Sequence, residues 1–272
     1  MNYDYAIYHS LLPLIIALEC AAVLFTYFAL TWNKRQSSEE TLSRIHKSFI
    51  GIFLIEFWYW ITRPLLSFFK YTGMTPNNIT SVSIILSFVT GAIFATGHIS
   101  VAGWMLVFSG SLDMLDGALA RETGTSTKAG AFFDSCGDRY SDSFVFIGIG
   151  IYFLSKNFIP GSGSFTITMF DYINILIILA ILLGSASMSY VKARGEAVGV
   201  TTKSGLMQRP ERITMLSIYC VLDPFIRIIL GNYGINKEYG LLLILAIMAV
   251  LINFSAVMRM IDIFRTLKSS ES

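Results

Sequence analysis

Asp113, Asp116, Asp134, Asp138 and Asp142 stand at or near one end of two consecutive apolar segments. A carboxylate at the edge of a membrane helix is costly, so acids gathered there point to a function. Asp113 and Asp116 are three residues apart and share one helix face. Asp134 and Asp138 are four apart and share another. A short loop joins the two segments, so their helices must pack antiparallel and the four carboxylates can converge. Bare, they would repel one another and hold protons. With one or two divalent cations they become a hard-oxygen site of the kind Mg²⁺ or Mn²⁺ prefers. Soft ligands are absent, so zinc is not expected. Arg121 and Arg139 are too few to neutralise five acids.

Glycines flank these acids. Gly117 follows Asp116 directly, and Gly130 lies one turn before Asp134. Glycine weakens a helix but lets a ligand or a second helix come close, and either use fits here. Arg121 follows Asp116 by about a turn and a half, where it could meet a phosphate. A second polar cluster comprises Tyr190-Val-Lys192-Ala-Arg194-Gly-Glu196 and Gly205-Leu-Met-Gln-Arg209-Pro-Glu211-Arg212. Basic residues at helix ends are ordinary cytoplasmic anchors. They also suit a phosphate-binding pocket opposite the aspartates, where arginine forks grip an anion.

The elements that must position these groups are apolar helices. Hydrophobic residues make up 54% of the 272 residues and charged residues only 14%, with a mean hydropathy of +0.62. A soluble domain carries nearer a quarter charged residues. Several stretches reach the roughly 20 apolar residues that a bilayer crossing needs. The first runs from Tyr8 to Thr31. It is too long for the core of a cleavable signal, and no basic stretch precedes it. A polar segment, Trp32 to His46, follows, with a helix-start pattern at Ser37-Ser38-Glu39-Glu40. Phe49 to Tyr71 is aromatic-rich and broken by Glu56, Arg63, Pro64 and Lys70. It reads as an interfacial helix, with a tilted span as the other reading. After the Gly73–Asn78 turn, capped by Asn78 or Thr80, six apolar helices are expected. They cover about Ile79–Thr96, Val101–Ala120, Ala129–Leu154, Ile173–Val191, Arg212–Leu230 and Tyr239–Ile263. The fold class is therefore an all-α integral membrane protein with seven crossings and one surface helix. Residues 1–48 form the extra N-terminal span and loop, 49–74 the interfacial helix, and 75–272 the domain that carries the acids.

Basic residues favour the cytoplasmic side. The Trp32–Lys47, Arg121–Lys128 and Lys192–Arg212 loops and the tail with Arg265 and Lys268 belong there, which puts the N-terminus outside. Cys20, Cys136 and Cys220 lie in apolar segments without metal-like spacing, and His9, His46 and His98 are scattered. Neither set suggests a disulfide framework or a soft-metal site.

The run Asp113-Met-Leu-Asp116-Gly117-Ala-Leu-Ala120-Arg121, eight residues, then Gly130-Ala-Phe-Phe-Asp134-Ser-Cys-Gly-Asp138 resembles a known signature. It is that of the CDP-alcohol phosphotransferases, D-x-x-D-G-x-x-A-R, eight residues, G-x-x-x-D-x-x-x-D. Every signature position is filled. The resemblance spans about Thr75 to Ile263, including the six-helix count, and leaves Met1–Trp32 unexplained.

The resemblance implies a six-helix bundle that transfers a phosphoalcohol group from a CDP-linked lipid donor to a small polar alcohol, releasing CMP. It implies Asp113, Asp116, Asp134 and Asp138 as ligands of two Mg²⁺ or Mn²⁺ ions, with Asp138 as general base. Asp113, Gly117, Ala120 and Arg121 would hold the cytidine diphosphate. The basic cluster is similar to the Ser-Tyr-Val-Lys-Ala-Arg and Arg-Pro-Glu-Arg stretches of the phosphatidylinositol-phosphate synthase branch. That likeness implies Lys192, Arg194, Arg209 and Arg212 as ligands of an acceptor phosphate, with inositol phosphate ahead of glycerol phosphate. A homodimer in the cell (inner) membrane with a cytoplasmic active site is expected, and no nucleic acid partner. Two other classes use intramembrane acids. An ion-coupled transporter would spread them through the bilayer depth, whereas here they cluster at one surface. A membrane prenyltransferase would pair aspartates around Mg²⁺ but would not require Gly117, Ala120 and Arg121.

Overall fold

The computed structural model describes residues 15–16, 19–20, 22–31, 52–156, 168–202 and 205–271. Among the described residues all regular structure is helical. The helices are α1 (Ala22–Thr31), α2 (Ile52–Tyr71), α3 (Pro76–Ala95), α4 (Ile99–Glu122), α5 (Lys128–Ser155), α6 (Met169–Ala197), α7 (Arg209–Asn232) and α8 (Tyr239–Glu271). Five of them, α3, α4, α6, α7 and α8, are long and apolar enough to cross a membrane. The chain is a multi-pass membrane protein.

Seven crossings were expected, and two segments account for the difference. In the first apolar stretch the described helix α1 covers the 10 residues Ala22–Thr31, and the rest of Tyr8–Thr31 is largely outside the described residues. The helix-start pattern at Ser37–Glu40 and the Trp32–Lys47 loop also lie outside them. Helix α5 has 28 residues, ample length, but it carries Asp134, Asp138, Arg139 and Asp142, which dilute its apolar character. Helix α2 forms as expected, with Pro64 inside it, and is not among the five.

The chain divides into two compact units, one of Met1–Ile79 with Met114–Ser126 and one of Thr80–Asp113 with Thr127–Ser272. In the smaller unit Trp60 packs on Tyr27 and Phe28, with ring centroids 5.8 and 5.6 Å apart. Lys70 at the end of α2 pairs with Glu122 at the end of α4. Helix α3 starts earlier than the expected Asn78 or Thr80 cap. Thr75 is the capping residue, its hydroxyl accepting from Asn78 N at 3.3 Å, and Pro76 takes the first helical position, which needs no N–H. Helix α4 closes on Gly124, at φ +66°, while Thr125 N reaches back to Ala120 O at 2.9 Å. A left-handed glycine after the last turn is a helix stop signal, and it fixes where Ala120 and Arg121 end the helix.

In the larger unit the core runs through Phe94, Ile99, Ile149, Ile181, Leu241 and Ile252. Backbones come close where glycine allows it. A Cβ on Gly148 would lie 2.1 Å from Gly91 O, so α3 and α5 touch main chain to main chain. Ser87 and Ser109 share a hydrogen bond of 2.9 Å between α3 and α4. Asn253 Nδ2 on α8 donates to Ala180 O on α6 at 2.9 Å. The far ends of α5, α7 and α8 are tied by a polar knot. Glu238 accepts from Tyr152 Oη at 2.8 Å, from Arg227 Nη1 at 2.8 Å and from Lys156 Nζ. Arg227 Nε also donates to Asp223 at 2.6 Å.

Candidate active site

Thr127 caps α5 through a hydrogen bond from Gly130 N at 3.0 Å. From that fixed start, Asp134, Asp138 and Asp142 follow at intervals of four, so the three carboxylates line one face of the helix. Asp113 comes from α4. A carboxylate oxygen of Asp113 and one of Asp134 lie within 4.8 Å of each other. Two acids from different helices at that separation form a donor set of hard oxygens, which suits Mg²⁺ or Mn²⁺.

The expected shortage of compensating charge is corrected by residues distant in sequence. Arg209, the first residue of α7, sits among the acids. Its Nη1 is 2.7 Å from Asp138 Oδ1 and also bonds Asp113 Oδ2, and its Nε is 3.4 Å from Asp142 Oδ1. Arg212, one turn later, donates from Nη2 to Asp142 Oδ2 at 2.7 Å. Its side chain is only 6% exposed. Arg139, nearest in sequence, does little here. It folds back onto Ser135 and stays 3.9 Å from Asp138. Helix α7 begins at Arg209, one turn before the expected Arg212, with Pro210 in its first turn. That extra turn carries Arg209 to the carboxylates.

Asp116, Gly117, Ala120 and Arg121 continue along α4. Asp116 is buried, and its Oδ1 accepts from Gly117 N at 2.5 Å. A Cβ on Gly117 would meet Arg121 Nη1 at 3.1 Å, so the missing side chain gives the guanidinium room to lie along the helix. Ala120 is half-buried and Arg121 is exposed. Lys192 and Arg194, in the last turns of α6, are exposed. Lys192 pairs with Glu196 at 4.0 Å. Among the described residues neither Lys192 nor Arg194 pairs with Asp113, Asp138 or Asp142, the acids that Arg209 and Arg212 meet.

The larger unit thus brings together Asp113, Asp134, Asp138, Arg209 and Arg212, and leaves Lys192 and Arg194 at the surface. Two partners at the site had no specific role assigned from the sequence, although Asp142 was counted among the five clustered acids. Asp142 was legible only as the next acid in a row of i+4 spacing. Ser185, which donates to Asp142 Oδ2 at 3.0 Å, sits in the run Gly184-Ser185-Ala186-Ser187, where nothing marks one serine from the other.

The model of the CDP-alcohol phosphatidyltransferase family matches residues 73–264. The chain is 32% identical to the phosphatidylinositol phosphate synthase of Mycobacteroides abscessus over 177 residues, 65% of this chain and 72% of that one. It is 33% identical to the archaetidylinositol phosphate synthase of Pyrococcus horikoshii over 147 residues, 54% of this chain and 69% of that one. The Mycobacterium tuberculosis phosphatidylinositol phosphate synthase, solved with CDP-DAG bound, aligns with a TM-score of 0.61 at 27% identity. The alignment covers 75% of this chain and 94% of that chain. The same enzyme in complex with manganese and citrate aligns at 0.60 and 26% identity, covering 75% and 88%. Manganese in that relative accords with the oxygen donors here, and the family depends on divalent metal. A match across most of the sequence, a relative covered over 72% of its length and a shared helical fold agree: the chain belongs to the CDP-alcohol phosphatidyltransferase family.

Proposed function

We propose that this transferase moves a phosphatidyl group from a CDP-diacylglycerol-like donor to the hydroxyl of a phosphorylated polyol, inositol phosphate first and glycerol phosphate second. The observation that carries the acceptor is the arginine pair. Arg209 and Arg212 stand in direct contact with the carboxylate row. A neutral acceptor gains little from cations there, whereas a phosphate gains a charge-assisted hydrogen bond from each. The identity to two inositol-phosphate-type synthases supports the same reading.

In this reading residues 75–272 are the catalytic domain. Asp113, Asp116, Asp134 and Asp138 hold the divalent ions, which when bound neutralise the diphosphate and stabilise departing CMP. Gly117, Ala120 and Arg121, with Asp113, bind the cytidine diphosphate. Arg121 lies along the glycine step, and a guanidinium there has the fork geometry that suits phosphate oxygens. Asp138 takes the proton of the attacking hydroxyl. That oxygen bonds to the phosphorus of the phosphatidyl group as the bond to CMP breaks. Lys192 and Arg194 complete the acceptor's phosphate shell. The site faces the cytoplasm of the cell membrane with the N-terminus outside, so CMP leaves into water while the lipid product stays in the bilayer. The enzyme works as a homodimer.

The test is CMP release by the purified enzyme with a panel of acceptors. Inositol phosphate should be preferred, excess chelator should stop turnover, and Arg194→Ala and Arg209→Ala should raise the acceptor KM far more than the donor KM. Preference for free inositol, serine or choline would overturn the acceptor assignment and leave the metal assignment standing. Full turnover in chelator with metal-free substrate would overturn the latter.

A further inference from the structure

Asp142 lies outside the family signature, yet its side chain is only 10% exposed. A carboxylate so deep is costly unless every oxygen is engaged. Both are. Oδ2 accepts from Arg212 Nη2 at 2.7 Å and from Ser185 Oγ at 3.0 Å, and Oδ1 faces Arg209 Nε at 3.4 Å. Replacing such a trio by apolar groups is often neutral for stability, so stability alone is a weak reason for it. Its geometric consequence is specific. Arginine is a long, rotamer-rich side chain with five donors in a rigid fork. Asp142 takes the Nε edge of Arg209 and leaves the other end to Nη1, on Asp113 and Asp138, and to Nη2. Nη2 makes no hydrogen bond among the described residues. Arg212 is held one turn away on the same carboxylate, in the wall of a small cavity that also includes Ser109 and Ser141.

We propose that Asp142 is a positioning residue for acceptor binding: buttressed by Ser185, it fixes Arg209 and Arg212 as a preformed cationic pair whose free donors take the acceptor's phosphate. This rests on the reading of Arg209 as an acceptor ligand. Asp142 itself touches no reacting atom. It removes the rotamer freedom that the arginines would otherwise lose on each binding event.

The experiment uses the full-length enzyme in lipid nanodiscs with Mn²⁺, CDP-diacylglycerol and inositol phosphate. Asp142→Asn should raise the acceptor KM by about 10- to 100-fold, the span of a lost charge-assisted hydrogen bond. The donor KM should stay within about twofold, because no donor contact is removed. Ser185→Ala should shift the acceptor KM in the same direction by less. Because both changes act on one guanidinium, Asp142→Asn combined with Arg209→Gln should be far less impaired than the product of the single effects. Should Asp142→Asn fail to fold, Asp142→Glu, which keeps the charge and misplaces it, should show the same selective rise. Equal rises in donor and acceptor KM, or multiplicative single effects, would overturn the proposal. If Arg209→Gln raises the acceptor KM and neither Asp142 variant does, the proposal fails and the acceptor reading stands. If Arg209→Gln leaves the acceptor KM unchanged, the acceptor reading has failed and takes this proposal with it.

Discussion

Asp138 and Asp113 share one arginine nitrogen, Nη1 of Arg209, so the proposed base and the proposed acceptor ligand are in direct contact. That contact separates two effects of one substitution. Asp138→Asn keeps the shape and some metal affinity but removes the proton acceptor. Turnover should fall roughly a hundred- to ten-thousand-fold, the usual worth of general-base catalysis, with donor binding retained. The acceptor KM should rise only modestly, because Arg209 Nη1 meets a single oxygen of Asp138 and keeps its bond to Asp113, whereas Asp142 engages both of its oxygens. Near wild-type turnover, measured as CMP release, would move the base elsewhere.

At the scale of elements, two features hold the helices that carry the site. The first is the glycine contact between α3 and α5. Gly148→Val would drive a side chain into the Gly91 carbonyl, which is main chain and cannot swing aside. Overpacking typically costs about 1–3 kcal/mol, and a backbone clash belongs at or above the top of that range. The variant should show a markedly lower Tm, and an unchanged Tm would mean that the helices do not touch there. The second feature is the knot around Glu238 at the far ends of α5, α7 and α8. Burial pushes the Glu238 carboxyl up, but the hydrogen bonds and charges of Arg227 and Lys156 outweigh it and hold the group below its ordinary value. A depressed acid contributes stability that is present above the unfolded pKa, near 4.3, and is lost as pH falls through the folded value. Glu238→Gln should lower stability at neutral pH by about 1–2 kcal/mol, because it removes the charge on which half-buried Arg227 and the more exposed Lys156 converge. It should also flatten the acid limb of a Tm-against-pH curve. An acid limb identical to wild type would show that the knot carries no such charge.

For the whole molecule, the family match begins at residue 73 and the aspartate signature begins at Asp113, so the N-terminal apolar stretch is additional to the chemistry proposed here. Removal of Met1–Trp32 should leave the donor and acceptor KM within about a factor of two to three of wild type, the scatter expected for changes remote from a site. Loss of activity in a truncated protein of normal Tm would show that the first stretch shapes the donor site. As a metal-dependent phosphatidyltransferase with five candidate spans, the protein works on a lipid substrate from within the bilayer that holds it.

The acids at helical spacing, the glycine after Asp116 and the filled signature were legible in the sequence, because they depend on local periodicity and on residue type. So was the helical, membrane-spanning class, which follows from apolar length alone. In α5 the same acids that mark the site lower the apolar signal that marks a span, so α5 is not among the five helices that length and composition select. What only the tertiary structure decided is which cations answer which acids. Arg139 is one residue from Asp138 and folds back onto Ser135, while Arg209, about seventy residues on, bridges Asp113, Asp138 and Asp142. Ion pairs form where helix packing brings charges together, and the packing of α4, α5 and α7 is a non-local property. For the same reason Ser185 and Asp142 gained roles that spacing could not assign, while Lys192 and Arg194, just as conspicuous in sequence, remained on the surface.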